Sequence, residues 1–213
     1  DAWGVDVLAV GSQKGLMVPP GLSFLSVSDR ARGRLAKARN PRFYLSVDRA
    51  LAALEKGALP DTPFTPAVSL ILQLREAVRA IEREGLTEVW KRTARLGEAT
   101  RAAVVALGLK LLASRGQSNV VTAVDCAGGP DPDEIVKRMR DEFGVSLIGG
   151  QGKLKGKIFR IGHVGHVDEL DVLATIAALE MVLSGLGRSV ALGSGVAAAQ
   201  RSFLGERVAV RAG

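Results

Sequence analysis

The sequence predicts an α/β protein, because short apolar runs typical of strands alternate along it with longer segments of helical periodicity. Two strand-like runs near the start flank a loop rich in glycine and proline. Two long amphipathic helices follow, and strands alternate with helices again in the second half. The 213 residues, 47% of them hydrophobic, are enough to form one large domain or two small ones.

The first predicted elements are two strands, over residues 5–10 and 22–28, on either side of the loop that contains Lys14. The run at 5–10 is apolar and β-branched, as in strands buried inside a sheet. A short helix is predicted over residues 47–56, and a proline-rich loop follows over residues 60–66.

Two long helices come next. Apolar side chains recur at three- and four-residue spacings over residues 67–81, which predicts a helix that Gly85 ends. The same pattern continues over residues 87–107, where Gly108 supplies the stop.

The rest of the chain alternates strands with helices. Asp131 and Pro132 are typical of a helix start, and Gly144 of its end. The pattern predicts strands at residues 109–113, 119–124, 145–148 and 157–161 and helices at 131–144 and 168–184. We expect residues 1–85 to be the end of a larger α/β domain, 86–187 a compact α+β domain, and 188–213 a tail to which the sequence assigns no role.

Composition excludes several classes of protein. The net charge is +7 and the pI about 10.0, but the basic residues are scattered and only 4% of residues are aromatic, so we expect no nucleic-acid partner. No apolar stretch approaches the ~20 residues of a membrane span, and the start shows no signal-peptide pattern, so we expect a cytoplasmic protein without a membrane partner. Cys126, the single cysteine, has no disulfide partner within the chain and is expected to be a small buried side chain.

The two histidines, His163 and His166, form only half of a metal ligand set. The nearby carboxylates of Asp168 and Glu169 are expected to cap a helix, so no metal is predicted. His163 is a candidate for lining a substrate site, and His166 is expected to be structural.

Lys14 lies at the end of a strand in a glycine-flanked loop, which is what Schiff-base chemistry needs: a fixed and approachable amine. A lysine at such a place is more often part of a surface turn. Its surroundings change that interpretation, because residues 3–21 combine the strand, Gly-Ser-Gln-Lys and Pro-Pro-Gly in order. This segment resembles the pyridoxal-phosphate (PLP) attachment segment of the class V aminotransferases, in particular the alanine/serine–glyoxylate (serine–pyruvate) aminotransferase branch.

The resemblance implies that Lys14 forms the Schiff base with PLP and that Gln13 contacts the cofactor phosphate. Residues 62–66, Thr-Pro-Phe-Thr-Pro, resemble a later segment in which a threonine reaches the phosphate of the neighbouring subunit. The resemblance therefore implies a homodimer with Thr65 in that role, or Thr62, because the segment aligns in two ways. Turn formation and capping of the next helix are the alternative for both threonines.

A third segment, residues 149–165, resembles the family's substrate-carboxylate segment ending in Arg-Ile-Gly, and Arg160 is the matching arginine. A planar guanidinium binds a carboxylate through two parallel hydrogen bonds, which suits it to orient an amino acid.

Together these segments imply the PLP-transferase fold type I, over residues 1–187 and for the C-terminal portion of the family only. The phosphate-binding helix start, the aromatic residue stacked on the pyridine ring and the aspartate at its nitrogen lie upstream in the family. We therefore expect the N-terminal part of the same enzyme as a partner, and little activity from these 213 residues alone.

The implied reaction is transamination between alanine or serine and a 2-oxo acid, glyoxylate or pyruvate. One alternative is a PLP-dependent lyase or desulfurase of the same fold; a desulfurase needs a reactive cysteine, for which only Cys126 is available. Another is a non-catalytic basic binding subunit that has kept the fold.

Overall fold

The computed structural model describes residues 3–35, 37–59 and 61–205, within two compact units, Asp1–Arg83 and Glu84–Gly213. Each unit is described by itself below. The residues outside this description are 1–2, Ala36, Pro60 and 206–213. They include parts of the predicted first domain, of the 60–66 loop and of the predicted tail. The predicted division into domains at residues 85 and 187 stays a prediction.

The first unit begins with an antiparallel hairpin of β1 (Val7–Gly11) and β2 (Ser23–Val27). Both predicted strands are confirmed. The prediction that residues 5–10 are buried is wrong for the described chain, because Val7 and Leu8 keep 52% and 55% of their surface exposed. A two-stranded ribbon pairs backbones along one edge and shields little side-chain surface.

Among the described residues, three helices complete this unit. α2 (Val47–Glu55), predicted from its sequence, begins where the Ser46 hydroxyl accepts a hydrogen bond from the Arg49 amide. α3 (Val68–Glu84) is the predicted helix over residues 67–81, extended by one turn toward Gly85. The sequence did not predict α1 (Asp29–Leu35), because this short helix is rich in charged residues and has no apolar stripe.

The second unit contains a four-stranded antiparallel sheet in the order β3-β4-β6-β5. β4 (Val121–Asp125) and β6 (Ile158–Gly162) are its two central strands. The predicted strands at residues 109–113 and 145–148 are confirmed only as short edge strands of two residues each, β3 (Lys110–Leu111) and β5 (Ile148–Gly149).

Helices α4 and α5 pack on the sheet, and α6 and α7 pack on these two helices and on each other. α5 has the caps that the sequence predicts: Asp131 accepts from the Asp133 amide, and Gly144 adopts a φ of 67°. α6 begins with a capping box formed by Asp168 and Asp171. The bounds are α4 (Leu86–Ala106), α5 (Pro132–Phe143), α6 (Glu169–Gly185) and α7 (Ser194–Phe203).

The core of the second unit lies between the helices and one face of the sheet. Val124, Phe159 and Ile161 point from the central strands into this core. Alternate residues of the same strands, Ala123 and Arg160, lie directly opposite each other on the other face and are only half-buried. The sheet therefore has a covered face and an open face, and Arg160 belongs to the open one.

Helix α7 lies within the region 188–213 to which the sequence assigned no role. It packs against α4 and α6, and Ala198 and Ala199 are fully buried there. The carboxylate of Glu180 on α6 accepts hydrogen bonds from the amides of Gly193 and Gly195, at 2.6 and 2.7 Å, and so fixes the start of α7. Small side chains give a weak periodic signal, which is why the sequence did not predict this helix.

Within the described residues, no helix is both long enough and apolar enough to span a membrane.

Candidate active site

Lys14 lies in the loop between β1 and β2, and hydrogen bonds of the Ser12 side chain stabilise this loop. The Ser12 side chain is fully buried; its hydroxyl donates to the Pro19 carbonyl at 2.7 Å and accepts from the Leu22 amide at 3.3 Å. The Val18 amide donates to the Ser12 carbonyl at 3.2 Å. Ser12 therefore ties together the two ends of the loop that carries Lys14.

The far side of the loop rests on helix α3. A Cβ atom at Gly21, which has a φ of +142°, would lie 2.6 Å from Leu70 Cδ1. Only glycine allows the loop this close to Leu70 at that backbone angle. Val18 is 3% exposed and is the single apolar anchor of the loop that is fully buried.

The side chains that the resemblance assigns to the cofactor point away from these anchors. Gln13 and Lys14 are exposed, and the Lys14 amine has no hydrogen bond or ion pair within the described part of the chain. The Gln13 amide folds back over the end of β1, since a Cβ at Gly11 would lie 2.6 Å from its Oε1 atom. A lysine with a fixed backbone and a free amine fits the attachment of an aldehyde cofactor.

The other end of β1 is also fixed. Asp6 accepts from the Ser28 hydroxyl at 2.6 Å and forms a bidentate pair with Arg30. Hydrogen bonding from Arg30, and then from Ser28, lowers the pKa of Asp6 to about 2. These contacts join the base of the hairpin to α1.

The two candidate threonines differ in what their hydroxyls do. Thr62 donates its hydroxyl hydrogen to the Phe64 carbonyl at 2.7 Å, which closes a local turn. The Thr65 hydroxyl is exposed and has no hydrogen bond among the described residues. Neither residue caps α3, which begins at Val68. Thr65 is therefore the threonine with a hydroxyl hydrogen to spare for a ligand.

An aromatic cluster next to Thr65 was not anticipated from the sequence. The Phe64 ring lies 5.7 Å from Phe43 and 4.9 Å from Tyr44, centroid to centroid. The Arg49 guanidinium lies over the Phe43 ring at 4.2 Å. The cluster ties the Thr65 segment to the start of α2. The run Phe43-Tyr44 ahead of the helix was the available signal in the sequence.

Arg160 lies on β6 in the second unit. Its Nε and Nη2 atoms donate to the Gly149 carbonyl at 3.1 and 2.9 Å. No carboxylate of the described residues pairs with it. Two bonds to one carbonyl fix the plane of the guanidinium and leave Nη1 without a partner in the described residues.

The expectation that His163 lines a substrate site is wrong for the described chain, because the residue is fully buried. Its Nε2 atom lies 3.0 Å from the Thr122 hydroxyl. Burial, helped by the positive charge of Arg101, lowers the pKa of His163 to about 4. His166 is exposed. Within the part of the chain that the structure describes, no group of three His, Cys, Asp or Glu side chains is placed to hold a metal ion.

Cys126 is buried, as expected, with 7% of its surface exposed. Burial, and then the negative charge of Asp125, raises the pKa of its thiol to about 11. The thiol is protonated at neutral pH and is not a nucleophile there.

Residues 1–155 match the family model described as aminotransferase class-V. The chain belongs to this family. The match includes the Lys14 loop and the Thr65 segment. Arg160 lies beyond the matched region.

Curated relatives of the class-V chain have several names. It is 45% identical to a protein named soluble hydrogenase, small subunit, from a Synechococcus strain, over 94% of this chain and 52% of that protein. It is 40% identical to the L-aspartate–glyoxylate aminotransferase of Paracoccus denitrificans, over 95% of this chain and 51% of that protein. The serine–glyoxylate aminotransferase of Arabidopsis thaliana is 41% identical, over 93% of this chain and 50% of that protein.

Solved structures of aminotransferases share the fold. The ureidoglycine–glyoxylate aminotransferase of Bacillus subtilis matches with a TM-score of 0.88 at 29% identity, over 95% of this chain and 53% of that one. The pyridoxamine–pyruvate aminotransferase of Mesorhizobium loti matches with a TM-score of 0.87 at 34% identity, over 95% of this chain and 52% of that one. The fold type I architecture implied by the resemblance is confirmed. The class-V chain spans about half the length of these relatives, as expected for a C-terminal portion.

Proposed function

We propose that the chain is the C-terminal half of a PLP-dependent aminotransferase that exchanges an amino group between alanine or serine and a 2-oxo acid, glyoxylate or pyruvate. Membership of the class-V family supports this, as do the relatives named for glyoxylate and pyruvate. The observation that carries the proposal is the Lys14 loop, where an exposed amine without a partner among the described residues stands on a backbone fixed by Ser12.

PLP, when bound, supplies an electron sink that stabilises negative charge on the substrate α-carbon. Lys14 would hold the cofactor through Nζ and, once the substrate amine has displaced it, the freed Lys14 amine would move the proton of that carbon. Gln13 would contact the cofactor phosphate through its side-chain amide. The hydrogen bonds of Ser12 restrict the backbone that carries both side chains, which would favour a constant placement at the cofactor.

Arg160 is proposed to bind the substrate carboxylate. The Gly149 carbonyl holds its guanidinium in one plane, so little conformational entropy is lost when a carboxylate binds to the remaining N–H groups. A fixed planar donor selects substrates that carry a carboxylate next to the reacting carbon.

We also propose a homodimer in which Thr65 of one subunit donates its hydroxyl hydrogen to the cofactor phosphate of the other. The unpaired Thr65 hydroxyl supports this choice over Thr62, whose hydrogen is used in its own turn. The Phe64 cluster restricts the Thr65 segment and so reduces the entropy that phosphate binding would cost.

Two other activities receive less support. A desulfurase needs a reactive thiol, but Cys126 is buried and its pKa is raised to about 11. A relative carries the name of a hydrogenase subunit, but any metal centre would need ligands from outside the described residues, because these contain no candidate ligand group.

The test uses the full-length enzyme, incubated with PLP, reduced with borohydride and digested for mass spectrometry. The wild type should carry the pyridoxyl label on the Lys14 peptide and should transaminate alanine or serine with glyoxylate. Lys14→Ala should lose both the label and the activity, because no other amine stands at that place. Lys153→Ala is the matched control and should keep both.

Label that persists on Lys14→Ala at Lys153 or Lys155 would overturn the assignment. A wild type that takes no label would favour the non-catalytic binding subunit. We further propose that the 213 residues alone hold PLP weakly, since the Lys14 side chain is exposed among the described residues.

A further inference from the structure

The second unit contains a cleft of about 250 Å³ between helix α4 and the chain that joins β3 to β4. Its apolar wall includes Leu111, Leu112, Val121 and Ala123. The Arg101 side chain of α4 enters the cleft from the helix side. None of the residues proposed for catalysis lines it, although Ala123 lies directly opposite Arg160 in the sheet.

Arg101 is half-buried, and a single hydrogen bond holds its guanidinium among the described residues: Nη1 donates to the Ser118 carbonyl at 3.0 Å. Burial lowers the pKa of Arg101, and the negative charge of Glu98 offsets this only in part. No carboxylate of the described residues forms an ion pair with it. Most of its N–H groups are therefore left for a ligand or for water.

The fold makes room for this guanidinium. A Cβ atom at Gly97 would lie 2.9 Å from Arg101 Nη1 and 2.8 Å from His163 Cε1. Any larger residue at position 97 would displace the guanidinium or the buried imidazole ring. The arginine thus sits in a niche shaped by the helix that carries it.

The other polar side chains of the cleft are already engaged. Gln117 donates to the Ala113 carbonyl, the Ser118 hydroxyl accepts from the Val120 amide, and Thr122 contacts His163. One cationic group with free donors therefore faces an aliphatic wall. That combination suits an anion with an apolar body, since a carboxylate takes the guanidinium and an alkyl chain takes the wall.

We propose that this cleft binds a short aliphatic monocarboxylate, with Arg101 as its anchor, at a site separate from Arg160. The cleft volume of about 250 Å³ is ample for a chain of a few carbons. Such a ligand bridges α4 and the 112–120 segment, so it stabilises the second unit when bound.

The test is a methyl-resolved NMR titration of the full-length enzyme, labelled at leucine and valine, with butyrate as the probe. Signals of Leu111, Leu112 and Val121 should shift saturably with butyrate and far less with 1-butanol, which lacks the charge. Arg101→Gln should weaken butyrate binding at least about tenfold. Arg188→Gln is the matched control and should leave it unchanged, because Arg188 also donates to a backbone carbonyl but does not line this cleft.

Two further variants keep the result interpretable. Leu112→Asp places a negative charge in the cleft at an exposed position, and it should abolish the butyrate shifts even where Arg101→Gln folds poorly. Arg160→Gln should leave the cleft shifts intact while any substrate binding is lost, which separates this proposal from the proposed function. Equal shifts with butanol, unaltered binding in Leu112→Asp, or loss of the cleft shifts in Arg160→Gln would each overturn the proposal.

Discussion

The Lys14 loop combines a fixed backbone with a free side chain, and Ser12 is the residue that makes this possible. Its hydroxyl uses both its donor and its acceptor capacity on the backbone of residues 19 and 22. The satisfied hydroxyl can be fully buried without the penalty of an unpaired polar group. Burial of Ser12 thus supports exposure of Lys14 two residues later.

Arg160 allows a test of carboxylate binding. Arg160→Lys keeps the positive charge but loses the two-pronged planar donor, so KM for the amino donor should rise by about tenfold or more. The turnover number should change less, because the cofactor chemistry depends on Lys14. Steady-state kinetics of the full-length enzyme measure both constants. Unchanged KM values would remove Arg160 from the substrate site.

His163 makes stability depend on pH. Its pKa is lowered from 6.5 to about 4 in the folded chain, chiefly by burial. The unfolded chain therefore binds a proton at a higher pH than the folded chain does, so the stabilisation is complete above about pH 6.5 and is lost as the pH falls toward 4. Between pH 7 and pH 5 the loss should be on the order of 1–2 kcal/mol.

Urea unfolding of the cofactor-free full-length protein at the two pH values measures this effect. His163→Gln should reduce the pH dependence by that amount. His166→Gln is the control, because His166 is exposed, and it should retain the wild-type dependence. Identical pH dependence in wild type and His163→Gln would show that another group is responsible.

Among the elements, α7 depends most on a single side chain from elsewhere. Glu180 is 3% exposed and accepts from three amides at the start of this helix, those of Gly193, Gly195 and Val196. A carboxylate at a helix N-terminus is favoured by the amide donors and by the helix dipole. The Cβ position at Gly195 is also tight, 2.9 Å from Leu107 Cγ, so the helix start fits closely against the core.

Glu180→Gln should therefore loosen α7, because an amide replaces one acceptor oxygen by a donor that faces backbone N–H groups. We expect a loss of about 1–3 kcal/mol and faster hydrogen exchange of the α7 amides. Hydrogen exchange read by mass spectrometry gives the helix-level result, and thermal unfolding gives the global one. Glu142→Gln, which weakens an exposed surface pair with Arg138, is the control and should leave both the stability and the protection of α7 close to those of the wild type. Unchanged protection of α7 in Glu180→Gln would contradict this account.

The hairpin and the sheet give different environments to Lys14 and Arg160, the residues proposed to bind the cofactor and the substrate. Lys14 follows a two-stranded ribbon with exposed apolar residues, whereas Arg160 lies on the open face of a sheet whose other face is packed. Lys14 thus lies in a loop whose backbone is held by Ser12, whereas Arg160 lies on a strand and its own guanidinium is held by a backbone carbonyl.

For the whole molecule, the proposed dimer gives a complementation test. Lys14→Ala and Thr65→Val should each impair the full-length enzyme, the second by weakening PLP affinity. In a mixed dimer, Lys14 from the Thr65→Val subunit meets Thr65 from the Lys14→Ala subunit, so one active site is restored. Co-expression with two different tags isolates this species, and PLP affinity and activity are then measured.

Recovery toward half of the wild-type activity per dimer is the expected result. If Thr65 acts within its own subunit, each site keeps one defect, and the mixed dimer should show only the weakened PLP affinity of Thr65→Val. Sedimentation of an active wild-type monomer at the assay concentration would also contradict the dimer.

The sequence by itself determined the features that depend on neighbouring residues. The caps at Asp131, Gly144 and Asp168 were predictable because a cap satisfies amides or carbonyls within about one turn of itself. The segment containing Ser12, Gln13 and Lys14 was recognisable because its residues are consecutive. These features led to the family, which the comparisons confirm.

Only the tertiary structure decided which polar groups are buried and what satisfies them. His163 meets Thr122 from 41 positions away, and Glu180 meets Gly193 from 13 positions away. The choice between the two threonines also needed coordinates, because the sequence does not show that Thr62 uses its hydroxyl hydrogen on the Phe64 carbonyl. Burial and hydrogen-bond pairing are properties of the packed chain, so residues that share no sequence pattern become partners once the helices close over the sheet.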